Sequence, residues 1–350
     1  MQGWLHRHWR PAAGATVLLV LFLAYFGASW VFSSKLIGTH FGSDEQAQFS
    51  DFKLPQPEAV TLTNGSTNLA GWFFANPRAA TAKCAVVMLH GFSINKAVVV
   101  PFTPMFWDRG CDLYLYDLRS HGQSSKGFST YGVHDKHDEL LAVDWLAKKT
   151  GLPDARIGLW GVSYGAATSI QAAAARPTLA FVVADASYSS LADIASYQAG
   201  KMFGSWAKIF VPGALLVSGW RAGFDPSQAS PENAVRGLTT PLLLIHSTSD
   251  EFTPYQQSEK IYAQSNHNHT VLALTRWGAP HGESYLTDPA AYSRILDSFL
   301  TKYAPASAAD DPQPSPPGKA IRPSSRPSSY FPSQAVPLRT GEPHTPSAGS

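Results

Sequence analysis

Eight short apolar runs alternate with segments of helical periodicity along the middle of this chain, and that alternation constrains the fold more than any other feature. The β-rich runs fall at residues 58–63, 69–74, 84–89, 112–117, 156–160, 180–185, 241–247 and 270–275, and helical patterns fill 96–107, 133–149, 164–176, 255–264 and 288–303. Strand followed by helix followed by strand is the sign of βαβ units, hence of a mostly parallel sheet with helices on both faces. Continuous runs such as Ala85-Val86-Val87-Met88-Leu89 suit strands covered on both sides. With 44% of its 350 residues hydrophobic, the chain holds enough apolar surface for such a core.

The two ends differ from this middle. Residues 11–34 carry no charged side chain and include the run Val17 to Phe26, continued by Trp30, Val31 and Phe32. A bilayer core of about 30 Å needs roughly 20 apolar residues in a helix, so residues 1–34 are expected to form a short stub and a membrane anchor, with Trp4, Trp9 and Trp30 near the interfaces. Arg7 and Arg10 precede the segment, whereas Asp44, Glu45 and Asp51 follow it. The expected topology is therefore single-pass, with the N-terminus cytoplasmic and the main domain outside. The alternative is secretion after cleavage near Gly27, Ala28 and Ser29. Removal of residues 1–34 is expected to leave the main domain active. Residues 35–54 read as a linker, 55–303 as the folded domain, and the Pro- and Ser-rich stretch 304–350 as a disordered tail.

A formal charge of +2, from 27 basic and 25 acidic residues without long runs of one sign, gives no electrostatic footprint for nucleic acid. Two cysteines, Cys84 and Cys111, are too few for a disulfide framework or a zinc site. His134 and His137 share a helical face without an evident third ligand, so no metal is assigned. His267 and His269 are expected to be exposed.

Chemistry concentrates at three points. Gly161-Val162-Ser163-Tyr164-Gly165 sits where a strand meets a helix, the setting in which a G-x-S-x-G turn lifts a serine hydroxyl clear of a sheet. A serine hydroxyl needs a general base, itself oriented by an acid. Asp250 ends the run Leu242 to Ile245 and its polar turn, where open α/β sheets place their sites, and His281 lies in the loop Trp277 to Gly282. The order Ser163, Asp250, His281 is that of the nucleophile-elbow hydrolases. An oxyanion needs two backbone N–H donors, expected from Tyr164 and Phe92, the latter in the loop His90-Gly91-Phe92-Ser93.

On these residues, and on Asp117-Leu118-Arg119-Ser120-His121-Gly122-Gln123-Ser124, residues 55–303 resemble the α/β-hydrolase superfamily, and within it the membrane-associated serine hydrolases of the BEM46 and ABHD type. The resemblance implies an α/β-hydrolase fold with an eight-stranded, mostly parallel sheet and a short cap at about 191–240, between strands six and seven. It implies hydrolysis of an ester-type acyl bond in a small-molecule or lipid substrate (carboxylester, lipid ester or thioester), with no metal or organic cofactor. It makes Asp117, Arg119 and His121 structural. This chain departs from the family in carrying Ser247 after His246 where Gly is usual. Phe203, Trp206 and Phe210 fall at helical spacing in the cap, either lining an acyl pocket or forming a packing stripe. The usual strand order brings Cys84 and Cys111 side by side, with buried free thiols the expected state and a disulfide the alternative in an exported domain. Two rival readings remain: a peptidase of the same fold, and a tethered binding domain without chemistry.

Overall fold

The computed structural model describes residues 2–39, 48–77 and 83–307, with side chains from residue 14 onward. Its strands are β1 Glu58–Asn64, β2 Thr67–Phe74, β3 Ala85–Leu89, β4 Asp112–Tyr116, β5 Ile157–Val162, β6 Phe181–Asp185, β7 Leu242–Ser247 and β8 Thr270–Thr275. The helices are α1 Gln2–Ile37, α2 Pro104–Trp107, α3 Asp135–Thr150, α4 Tyr164–Ala175, α5 Leu191–Phe203, α6 Val211–Ala222, α7 Pro231–Ala234, α8 Gln256–Gln264, α9 Ser284–Thr287 and α10 Pro289–Tyr303.

The strands form one sheet in the order β1-β2-β4-β3-β5-β6-β7-β8, antiparallel between β1, β2 and β4 and parallel from β4 onward. Alternation along β3 builds two cores. Ala85, Val87 and Leu89 point into one with α3 and α4, whereas Val86 and Met88 point into the other with α2 and α10. Because both faces are covered, β3 to β7 are buried at every position, as their unbroken apolar runs require.

Each expected strand is present, with ends moved by at most two residues. The expected helix 96–107 instead opens as a 3-10 turn, Lys96–Phe102, before the single turn of α2. Pro101 and Pro104 lack the N–H that an α-helix would need there. The cysteines correct the expectation of free thiols: Cys84 and Cys111 form a disulfide, with Cα atoms 4.6 Å apart. The β3–β4 register sets Ala85 opposite Asp112, so the residues just before that pair necessarily meet, in a fully buried position.

The first helix corrects the expected domain limits. α1 runs on through Ile37, which is wholly buried in the main core, and Ser29 and Ser33 are buried as well. The Ser129 N–H donates to Ile37 O, the Tyr131 hydroxyl to Leu36 O, and Ser218 to Ser33 Oγ at 3.0 Å. The last third of α1 is therefore part of the folded domain, and residues 1–34 do not detach cleanly from it. Gly14–Ile37 is long and apolar enough to cross a membrane. At the other end, Ala304 is buried and Pro305–Ser307 forms a last turn; the remainder of the expected tail lies outside the described residues.

Candidate active site

β5 leads into α4 through one residue, Ser163, whose backbone holds φ 55°, ψ −111°. An L-residue adopts a positive φ only where its surroundings enforce it, and here they do. The Ser163 N–H donates to Asp185 O on β6, and its carbonyl accepts from Ala167 N–H in the first turn of α4. The flanking glycines are demanded by contact rather than by flexibility. A Cβ on Gly161 would lie 2.3 Å from the Gly165 carbonyl carbon, and one on Gly165 would lie 2.6 Å from Leu89 Cβ and 2.7 Å from His90 O. The second clash shows that the first turn of α4 is pressed against the end of β3 and the His90-Gly91 loop.

The three side chains picked out in the sequence come together. Ser163 Oγ lies 2.8 Å from His281 Nε2, and His281 Nδ1 lies 2.6 Å from Asp250 Oδ2. With Nδ1–H donated to the carboxylate, Nε2 is left as acceptor for the serine hydroxyl. Asp250 is fixed by its own turn, since its Oδ1 accepts from the N–H groups of Phe252 and Thr253. Burial pushes the Asp250 carboxyl up, but the charge on His281 and hydrogen bonds from His246 and His281 outweigh it and hold the group well below the usual carboxylate range. The three residues are nearly closed to solvent, and the ring of Phe252 packs at a tilt 4.9 Å from that of His281.

Two supporting residues lie outside the set picked from the sequence. His246 is fully buried at the end of β7, with Nε2 2.7 Å from Thr253 O and 3.2 Å from Asp250 Oδ2, and Nδ1 2.7 Å from Ser258 Oγ. Ser247, expected to alter only a turn, donates its hydroxyl to Ala279 O at 2.6 Å and so ties the end of β7 to the loop that carries His281. The signal for both was a polar pair closing an apolar run.

Tyr164, the expected oxyanion donor after the serine, has its backbone locked by its own side chain. Its buried hydroxyl donates to Asp135 Oδ1 at 3.0 Å and accepts from Thr130 N–H and Tyr131 N–H. Phe92 packs 5.8 Å from the Tyr164 ring, which brings the two expected donor segments together. His90 accepts from Leu118 N–H at Nε2 and donates from Nδ1 to Gly91 O, pinning that loop. Burial pushes its pKa down to about 4, so it stays neutral.

Asp117 is buried and accepts from Lys96 N–H, Lys96 Nζ and Gln123 N–H; Arg119 makes a two-pronged bond to Asp138; His121 reaches the Arg119 carbonyl. These contacts hold loops in place. Phe203, Trp206 and Phe210 lie at the end of α5 and in the turn that follows it. Gly204 ends α5 at φ 89°, a 3-10 turn follows, and Phe32 of α1 meets Phe203 edge-on at 5.4 Å and stacks on Phe210 at 6.1 Å. Trp206, which meets Phe210 edge-on at 6.0 Å, and Phe203 stay about half exposed or more. His134 Nε2 meets Gly223 O, and no metal-binding cluster occurs among the described residues. His267 is exposed, whereas His269 is half-buried.

Comparison with known proteins agrees with the fold. YqkD of Bacillus subtilis, a protein without an assigned function, is 28% identical over 222 residues, 61% of this chain and 70% of its own. The structure is similar to that of the Pyrococcus furiosus esterase Pf2001, with a TM-score of 0.62 at 21% identity over 76% of this chain and 98% of the esterase. It is also similar to the acylaminoacyl peptidase of Pyrococcus horikoshii, with a TM-score of 0.56 at 17% identity over 73% of this chain and 43% of the peptidase. The family described as X-Pro dipeptidyl-peptidase (S15 family) matches residues 9–211, a stretch that contains Ser163 and stops before Asp250 and His281. That stretch is more than half of the chain, and the protein, an α/β-hydrolase by fold, belongs to the S15 peptidase family.

Proposed function

We propose that the protein is a membrane-anchored serine hydrolase that cleaves ester-type acyl bonds through Ser163, His281 and Asp250. The observation that carries the reading is the continuous hydrogen-bonded chain from Ser163 Oγ through the imidazole to the Asp250 carboxylate, with the serine held at a positive φ between β5 and α4. In this mechanism His281 Nε2 takes the hydroxyl proton as Ser163 Oγ attacks the carbonyl carbon. The N–H groups of Tyr164 and Phe92 stabilise the oxyanion, and Asp250 holds the imidazole in its tautomer. The protonated imidazole then gives its proton to the leaving group, and water deacylates the serine by the same route in reverse.

A second reading, an exopeptidase acting on amides, is favoured by the family match. Kinetics on a panel of p-nitrophenyl esters, acyl thioesters and X-Pro amides distinguish the two. The ester reading predicts kcat/KM at least tenfold higher on esters or thioesters; preference for X-Pro amides would replace it with the peptidase. An inactive tethered domain would hydrolyse none of them.

The BEM46 and ABHD type of membrane-associated hydrolase remains the group we favour within the superfamily, on the strength of α1. An uncleaved anchor is supported by Tyr25, which donates to Ile209 O and stacks on Phe210, since cleavage near Ala28 would remove those contacts. We place the N-terminus in the cytoplasm and the hydrolase domain outside it.

A further inference from the structure

The cap presents an apolar face that no part of the described chain covers. Met202, Phe203, Trp206, Ile209, Leu216 and Trp220 are each about half exposed or more, reaching 75% for Leu216 and 73% for Trp220. On α6 the exposed positions Pro212, Leu216 and Trp220 recur every fourth residue and make one stripe. A contiguous apolar face of this kind on a folded domain marks a surface with a partner.

We propose that this face is a membrane-insertion surface, whose occupant is the outer leaflet that α1 enters, and that acyl-ester lipid in that leaflet is the substrate. The proposal rests on the anchored-hydrolase reading above. Three observations identify the bilayer as the occupant. First, the patch is continuous with the spanning helix: Trp220 packs 6.0 Å from Trp30, and Tyr25 donates to Ile209 O. Second, α6 lies along α1 rather than beyond its end. The Arg221 guanidinium bonds Ser34 Oγ and covers the Trp30 ring, whereas Phe210 stacks on Tyr25. Nine residues of helix separate Ser34 from Tyr25, about 13 Å at the α-helical rise. Ile209 and Phe210, beside Tyr25, therefore lie on the membrane side of Ser34 and Arg221. Third, residues 194–224 contain no acidic residue, so the face carries no carboxylate that would have to be buried in the leaflet.

The patch also reaches the site. α5, which ends at Met202 and Phe203, donates from Tyr197 Oη to Glu251 O and from Gln198 Nε2 to Phe252 O, and Phe252 packs at a tilt against His281. One helix thus links the apolar face to the loop bearing Asp250, which joins the proposed lipid surface to the site.

The test uses the full chain in nanodiscs of equimolar phosphatidylcholine and phosphatidylglycerol, spin-labelled at Leu216→Cys, at Trp220→Cys or, on α10 across the sheet, at Ser298→Cys. Labels at 216 and 220 are expected to relax more with oxygen than with a water-soluble nickel chelate, and the label at 298 the reverse. Chelate access at 216 and 220 equal to that at 298 overturns the proposal, as does shielding from both reagents, which would seat a second copy there. The variant carrying Leu216→Glu and Trp220→Glu is expected to keep its rate on a soluble short-chain ester and to lose about tenfold on a long-chain ester held in the discs. Unchanged rates on both overturn the substrate assignment. Wild-type protein inactive on both esters would instead refute the hydrolase reading, leaving the label depths to decide the insertion.

Discussion

Ser163 sits in a backbone conformation that costs on the order of 1–3 kcal/mol for a residue with a side chain, and the Asp185 and Ala167 hydrogen bonds on either side hold it there. Asp250 completes the arrangement by orienting His281, and two backbone N–H groups hold it with the carboxylate charged. Asp250→Asn should therefore preserve the fold while lowering kcat by roughly 10⁴, because the amide favours the wrong imidazole tautomer. Steady-state kinetics alongside circular dichroism check this, and an unchanged rate would assign the orienting role to another group. Ser247 acts one step further out. Ser247→Gly removes the bond to Ala279 O, should cost about 1 kcal/mol in urea unfolding, and should lower kcat by roughly tenfold as the His281 loop loosens. A rate equal to wild type would show that the loop is held without it.

At the scale of elements, α3 and α4 meet across a buried acid. Glu139 accepts from Ser169 Oγ at 2.6 Å, and burial, reinforced by the charge on Asp135, pushes its pKa up to about 8 against the Ser169 bond. A carboxyl that holds its proton in the folded state contributes stability below its unfolded pKa of about 4.3 and loses it as pH rises through about 8. Glu139→Gln should flatten that loss, so the melting temperature of the variant relative to wild type should rise between pH 5 and pH 8; a pH-independent difference would contradict the account. Much at this scale is legible in the sequence. The strand runs are apolar because both faces are covered, and the G-x-S-x-G turn reads directly because Gly161 and Gly165 have no room for a Cβ. What the local pattern does not carry is contact across the sheet or between distant segments. The disulfide depends on the β3–β4 register, the Ser247 tie on where Ala279 falls, and the fate of Phe203, Trp206 and Phe210 on a helix lying far away in sequence.

At the scale of the molecule, the last third of α1 packs on α6 and on the core, so this part of the helix and the α/β-hydrolase fold are one folded body. A chain truncated after residue 34 loses Phe32, the Ser33 and Ser34 bonds to Ser218 and Arg221, and the helical approach to Ile37. It should melt on the order of 5–10 °C below a chain truncated after residue 13; equal melting temperatures would return α1 to the status of a detachable anchor. The central claim is that Ser163 is the activated nucleophile of the intact protein. Full-length protein in membranes, treated with a fluorophosphonate probe and digested for mass spectrometry, should carry the phosphonyl adduct on Ser163, with no labelling in Ser163→Ala; an adduct on another serine, or full labelling of the variant, would contradict it.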